Sequence, residues 1–317
     1  MNTEFGFLDD LKSKYNLSMI GDDCAVLPKD METDLVVTVD MLVEEIDFRL
    51  DWITPEVLGH KALAVSLSDI AAMGALPKWA MLSIAIEEKL WKTDFLDRFY
   101  EGWHRLALQY GVELVGGDIS RTTDKIVIDS IAGGEVSKTR AILRSGASPG
   151  DSIFVSRTLG GAAGGLGLLE GNSNGDSHSI EARDLIRRQL RPLPEVALSN
   201  QLQQHMLATA AIDLSDGLSS DLGHICRASS VGDIVDLQDL PIEPNLTSLF
   251  PADACLEMAL HGGEDFGLIF TGNKEKILAA GIEGISHLGE ITANVGIIEL
   301  IRDGKRSVLE PKGYRHF

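Results

Sequence analysis

Glycine stands beside aspartate at Gly21-Asp22-Asp23, Gly116-Gly117-Asp118, Asp216-Gly217 and Gly262-Gly263-Glu264-Asp265. The combination suits a site for metal-bound phosphate: a residue without a side chain lets backbone amides approach the anion, while the carboxylate holds the cation. Turn formation explains any single occurrence better. Position decides. Asp40 closes the β-branched run LVVTV (35–39), and Asp213 ends ATAAID (208–213), so each reads as a carboxylate delivered into a loop by a buried strand. Asp69 falls among Leu67, Ile70, Ala71 and Ala72 near the end of a helix, where the negative end of the helix dipole disfavours a carboxylate, so its charge needs a partner. Lys61, two turns earlier on roughly the same face, is a candidate for an anion near Asp69; a solvent-facing lysine is an equal alternative.

If Asp23, Asp40, Asp69, Asp118, Asp213 and Asp216 converge, each like-charge pair at about 4 Å costs about 4 kcal/mol at an effective dielectric near 20. Such a cluster demands divalent cations or raised pKa values. The donors are hard oxygens and no EF-hand spacing occurs, which favours magnesium over zinc or a closed calcium cage. The run Leu159–Gly167 matches neither GxGxxG nor GxxxxGK[ST]; its glycines serve either a phosphate or close helix packing. No GxSxG elbow or HExxH spacing supports nucleophilic or zinc catalysis.

These residues require a scaffold. Thr54-Pro55-Glu56 supplies an N-cap, a proline at the first helical position and an acid in the first turn, predicting a helix over 55–73. CAVL (24–27) reads as a strand, a second helix is predicted over 93–109, VELV (112–115) as a strand stopping at Gly116-Gly117-Asp118, and IVIDSIAG (126–133) as another strand. Turn formers in RSGASPGD (144–151) divide the chain into domains 1–146 and 147–317. The second half begins with strand SIFVS (152–156), then the glycine run, a polar surface loop at 171–179 and a basic helix over 182–191. After Asp213, Leu218, Leu222, Ile225 and Cys226 share one helical face, with Ser215 as a plausible N-cap.

The 317 residues carry a net charge of -20, which argues against a nucleic-acid backbone or an anionic membrane as partner. A polyanionic substrate would need metal ions as mediators. Cys24, Cys226 and Cys255 fit neither a disulfide framework nor a zinc pattern and read as a reducing, cytoplasmic setting. The opening MNTEFGFLDDLK has acids where a secretory leader needs basic residues, and no apolar run approaches the roughly 20 residues of a membrane span.

Taken in order, GDDCAVL (21–27), TVDMLVEE (38–45), KALAVSLSDIAAMGA (61–75), GGD (116–118), RAILRSGASPGD (140–151), IDLSDGL (212–218), GGED (262–265) and GYRHF (313–317) resemble the thiamine-monophosphate kinase family nearly end to end. The resemblance implies an α/β (α+β) two-domain aminoimidazole ribonucleotide synthetase-like fold that pairs through its N-terminal sheet into a homodimer. It implies direct in-line phosphoryl transfer from ATP to thiamine monophosphate. By the same resemblance Asp23, Thr38, Asp40, Asp69, Asp118, Asp213 and Asp216, with the backbone of Val39, would hold several magnesium ions. Gly117, Asp118, Arg144 and Ser215 would contact ATP, and Asp47, Glu264 and Tyr314 the acceptor. Three positions depart from the family: Asp47 stands where a histidine is usual, Ser66 replaces asparagine, and Phe266-Gly267 replaces tyrosine-glutamate, all read as bearing on acceptor contacts. The alternatives are another ATP-using enzyme of the superfamily, or a non-catalytic nucleotide sensor.

Overall fold

The computed structural model describes residues 4–17, 19–171, 179–310 and 312–314. Most of the polar loop at 171–179 and the terminal Arg315-His316-Phe317 lie outside the described residues. The first half comprises α1 (Glu4–Tyr15), β1 (Ala25–Pro28), β2 (Thr33–Val43), α2 (Pro55–Ala72), β3 (Leu76–Glu87), α3 (Glu88–Trp91), α4 (Phe95–Tyr110), β4 (Glu113–Thr122) and β5 (Val127–Ser137). Its five strands form one sheet in the order β1-β2-β5-β3-β4, antiparallel except for the parallel β3–β4 pair.

The second half comprises β6 (Ser152–Ser156), α5 (Gly161–Leu169), α6 (Ile180–Leu190), α7 (Val196–Gln204), β7 (Ala210–Asp213), α8 (Leu218–Ser229), β8 (Gly232–Asp236), α9 (Ala252–His261), β9 (Leu268–Gly272), α10 (Lys274–Ala279), β10 (Ile285–Thr292), β11 (Ile298–Arg302) and β12 (Lys305–Val308). The seven strands form a second sheet in the order β12-β11-β8-β10-β6-β9-β7.

Helix α2 is the central element. The Thr54 hydroxyl accepts the Val57 amide, Pro55 starts the first turn, and the helix is buried from Leu58 almost to its end. A helix apolar all round belongs in a core, so the polar groups that α2 carries there, Lys61, Ser66, Ser68 and Asp69, need partners. Close contact with α4 depends on two reciprocal glycines: a Cβ on Gly59 would lie 1.9 Å from the Phe99 carbonyl oxygen, and one on Gly102 would lie 1.8 Å from that of Glu56.

Three expectations change, and one strand escaped the sequence reading. Strand β2 does not end at Asp40 but continues to Val43, because all eleven of its residues pair with β5. Strand β4 runs through Gly116-Gly117-Asp118 to Thr122, since Gly117 lets its backbone lie against β3; a Cβ there would sit 1.9 Å from the Leu82 carbonyl oxygen. Strand β3, hidden behind Pro77-Lys78 in the sequence, lies next to β4. Gly217, not Ser215, caps α8, and the Asp221 carboxylate reaches back from the first turn to accept the amides of Asp216 and Gly217 at 3.2 and 3.0 Å, as the acid of a capping box does.

Within the second half, Asp233 on β8 is fully buried; one carboxylate oxygen accepts the Cys226 thiol at 3.2 Å and the other has no partner among the described residues. Burial pushes its pKa up to about 7. The folded chain therefore keeps a proton that the unfolded chain releases near pH 4, and stability falls as pH rises from about 4 to about 7. Asp233→Asn should melt higher than the parent at pH 8, with the gap narrowing as the pH is lowered toward 4. Equal gaps at both ends, read by circular dichroism, would refute this.

Candidate active site

Three carboxylates meet where the two halves touch. Asp23 precedes β1, Asp69 lies near the end of α2 and Asp213 ends β7; one oxygen from each lies within 4.8 Å of the others. Hydroxyls hold this arrangement from neighbouring elements. Thr38 of β2 donates to Asp69 Oδ2 at 2.5 Å, and Ser68 donates to Asp213 Oδ2 at 2.7 Å. Ser66 donates to Asp40 Oδ2 at 2.7 Å and contacts the Ser130 hydroxyl at 3.0 Å. Ser66, read from the sequence as bearing on the acceptor, therefore stands on the carboxylate side.

Burial dominates the electrostatics. It pushes Asp213 up to about 8, helped by the charge of Asp23, and Asp40 up to about 6. Asp69 is raised well above the carboxylate range by burial and then by Asp40, Asp213 and Asp23. Asp23 is also raised by burial, although Arg144 opposes the shift with a guanidinium 2.5 Å from its Oδ1. The Arg144 amide in turn donates to Asp22 at 2.8 Å. Asp23 Oδ2 is buried and has no hydrogen-bond partner among the described residues. Hard oxygen donors, mutual repulsion and an orphaned buried oxygen together fit a divalent cation, which would satisfy that oxygen and hold the carboxylates ionised.

A second group lies toward the other end of α2. Lys61, 1% exposed, pairs with Glu264 at 2.8 Å and donates to the Asp47 carbonyl at 3.3 Å. It serves Glu264 rather than an anion near Asp69, and it does not face solvent. Gln189 of α6 donates to the other Glu264 oxygen. Glu264 has φ +65°, a left-handed conformation uncommon for a residue with a side chain, and its amide is held by the Ser215 carbonyl at 2.8 Å. The Tyr314 amide donates to the Asp216 carbonyl at 3.1 Å; burial raises its phenol pKa, and the charges of Asp47, Glu264 and Asp216 raise it further. Asp47, Asp216, Glu264 and Tyr314 thus converge. The Asp47 carboxylate also accepts the Val43 amide at 2.7 Å, closing the turn after β2.

The glycine run belongs to neither group. Asp265 accepts the amides of Gly160 and Ala162 at 2.5 and 2.9 Å, so a carboxylate already occupies the start of α5. A Cβ on Gly165 would lie 2.2 Å from the Leu185 carbonyl oxygen, so this glycine serves the packing of α5 on α6.

Gly117 and Asp118 are not brought to the carboxylates. Pairing sets Met41, Asp129, Ser83 and Asp118 in one row across β2, β5, β3 and β4, and places Asp40 in the next row with Ser130, Leu82 and Gly117. Asp40 faces α2, where Ser66 meets it, so Asp118 points from the opposite face, three strands or ~14 Å away. Val39, beside Met41 on that open face, is 61% exposed. Ser68, Gln189 and Asp221 escaped the sequence reading. Ser68 and Asp221 carry a faint signal, a polar residue on a buried helix face; Gln189 carries none.

Residues 21–136 match the family described as AIR synthase related protein, N-terminal domain, which assigns the first half of the chain to that class. Full-length relatives narrow it. The chain is 38% identical over 307 residues to the thiamine-monophosphate kinase of Bacillus subtilis, covering 94% of this chain and 93% of that protein. It is 40% identical over 306 residues to that of Escherichia coli K12, covering 94% and 91%. Among solved structures, AaThiL complexed with AMPPCP and TMP superposes with a TM-score of 0.87 at 35% identity, covering 99% of this chain and 97% of that one. The chain belongs to the thiamine-monophosphate kinase family, and its two sheets with their helices are the two-domain fold of that class.

Proposed function

We propose that this chain carries out its family's reaction at the site described, moving the γ-phosphoryl group of ATP in line onto the phosphate of thiamine monophosphate to give ADP and thiamine diphosphate. The observation that carries the reading is the juxtaposition of the buried Asp23–Asp69–Asp213 group with the Lys61–Glu264–Tyr314 group. The carboxylates, with Thr38, Asp40, Asp216 and the backbone of Val39, hold magnesium. Bound magnesium supplies the charge neutralisation that a loose phosphoryl-transfer transition state needs. Arg144 and Ser215 position ATP, and Gly117 and Asp118 do so from the second copy of the dimer described below. Asp47, Glu264 and Tyr314 give the acceptor a pocket that is acidic and aromatic, suited to a heterocycle with a fixed positive charge. The acceptor phosphate is already an anion, so no strong general base is required.

The domains divide at 146/147, and the site lies between them. All three cysteines are buried and free, in keeping with a cytoplasmic setting, and among the described residues no helix is long and apolar enough to cross a membrane. Chromatography should show thiamine diphosphate formed from ATP, magnesium and thiamine monophosphate. Nucleotide binding without product above a no-enzyme control would instead favour a sensor.

The working unit in this reading is a homodimer. The open face of the first sheet exposes Val39 (61%), Met41 (62%) and Met81 (37%) beside Asp118, and a second copy laid against it buries these groups and brings Asp118 to its partner's carboxylates. Complementation tests this directly. Asp69→Asn and Asp118→Asn should each be inactive alone, yet a refolded equal mixture should recover about a quarter of parent activity, because half the dimers are mixed and each has one intact site. A mixture as dead as its components would remove Asp118 from the partner's site.

A further inference from the structure

Beside α6, a cavity of about 290 Å³ is lined by Arg157, Arg187, Arg188, Arg191 and Asp265. This gathers four guanidiniums around one space in a chain of net charge -20. Three have acidic partners: Arg157 pairs with Glu195, Arg187 with Asp184, and Arg188 with Glu243 at 2.6 Å. Arg191 has no carboxylate partner among the described residues. Its Nε donates to His60 Nδ1 at 3.4 Å, while His60 Nε2 lies 2.7 Å from the Pro192 carbonyl oxygen and donates to it. Among the described residues, no group engages the two terminal nitrogens of Arg191.

Asp265 does not neutralise the cavity through an ion pair, since both its oxygens accept amides at the start of α5. Counted with Glu195, Asp184 and Glu243, the acids balance the arginines, so a general positive field is not the attraction here. Unused donors are. Each guanidinium carries five N–H groups, and one carboxylate engages at most two or three of them. Arg157 also has φ +63°, a strained conformation for a residue with a side chain, immediately after β6 and fixed by its amide bond to the Gly284 carbonyl at 3.0 Å.

We propose that this cavity binds a small oxyanion carrying two or more negative charges: inorganic phosphate, pyrophosphate, or the phosphate end of a small ester. Arginine forks match tetrahedral oxyanions through paired N–H···O bonds. The volume is several times a water molecule's share of the liquid, about 30 Å³, and sits at the bottom of the range for drug-sized ligands. The site is separate from the carboxylate cluster and does not depend on the catalytic reading.

Calorimetric titration of the full chain with sodium pyrophosphate, in EDTA and at constant ionic strength, tests it while the magnesium-dependent reaction is silent. Saturable binding at one site per chain is expected, weakened at least about tenfold by Arg157→Gln and by Arg191→Gln. Competition by thiamine monophosphate, but not by thiamine, would identify the ester phosphate as the ligand; its failure to compete would identify the free anion. Absence of saturable binding to the parent, or parent-like affinity in the folded variants, overturns the proposal. If Arg157→Gln does not fold, Arg191→Gln decides alone, because Arg191 is exposed and its substitution does not open the core.

Discussion

Asp213→Asn is expected to lower turnover on the order of a thousandfold and, in EDTA, to raise the melting temperature. Both effects come from one carboxylate. Asp213 is 2% exposed, and burial, reinforced by Asp23, pushes its pKa up to about 8. A carboxyl group raised in the folded state contributes stability at low pH that is lost as pH rises from its unfolded value near 4 to about 8. Asparagine does not ionise, and its carbonyl can still accept the Ser68 hydroxyl that now bonds Asp213 Oδ2. Metal-free Asp213→Asn should therefore melt above the parent, increasingly so up to about pH 8. Magnesium should reverse the order, because a ligand that binds only the folded state stabilises the chain that binds it best. Melting curves in EDTA and in magnesium, alongside the product assay, read every part. A variant less stable than the parent in EDTA, or one retaining turnover, would show that the carboxylate is structural.

A carboxylate at the wrong end of a helix dipole, amid leucine and alanine, marks Asp69 as needing a partner without any knowledge of its neighbours. The frame of α2 was equally legible, since Thr54, Pro55 and Glu56 are local signals. Direction was not. Lys61 shares a stripe with Asp69, and only the packing of residues 189 and 264 against α2 decides that it turns to Glu264. Asp118 is a sharper case. Between Ala80 and Met81 the β3–β4 register slips, so that Leu114 faces Ala80 but Gly116 faces Met81. Without that extra residue Asp118 would lie opposite Ile84, on the face toward α2. With it, Asp118 lies opposite Ser83, on the open face. One residue of slip thus decides which face of the sheet carries Asp118, and GGD reads the same in either case.

Lys61→Met should raise the KM for thiamine monophosphate more than it changes kcat, and should cost about 3 kcal/mol of stability, near the lower end for breaking a buried ion pair. The lower end applies because the partners are unequally buried: Lys61 is 1% exposed and Glu264 is 30% exposed, so water can reach the charge left behind. Methionine fills much of the lysine's volume within α2, which isolates the loss of charge from the opening of a cavity. Without the ammonium, Glu264 keeps, among the described residues, only the Gln189 side-chain amide, in a neighbourhood that already holds Asp47 and Asp216. Its carboxylate should then swing toward water, which spoils the acceptor pocket proposed for it with Tyr314. Pairing the substitution with Glu264→Gln separates the two roles of the ion pair. The double variant leaves no buried charge uncompensated and should regain most of the lost stability in urea titrations. It should not regain acceptor affinity, because the carboxylate itself is then absent. Recovery of KM along with stability would mean that Lys61 and Glu264 serve only the fold, whereas a KM untouched by Lys61→Met would take Glu264 out of the acceptor pocket.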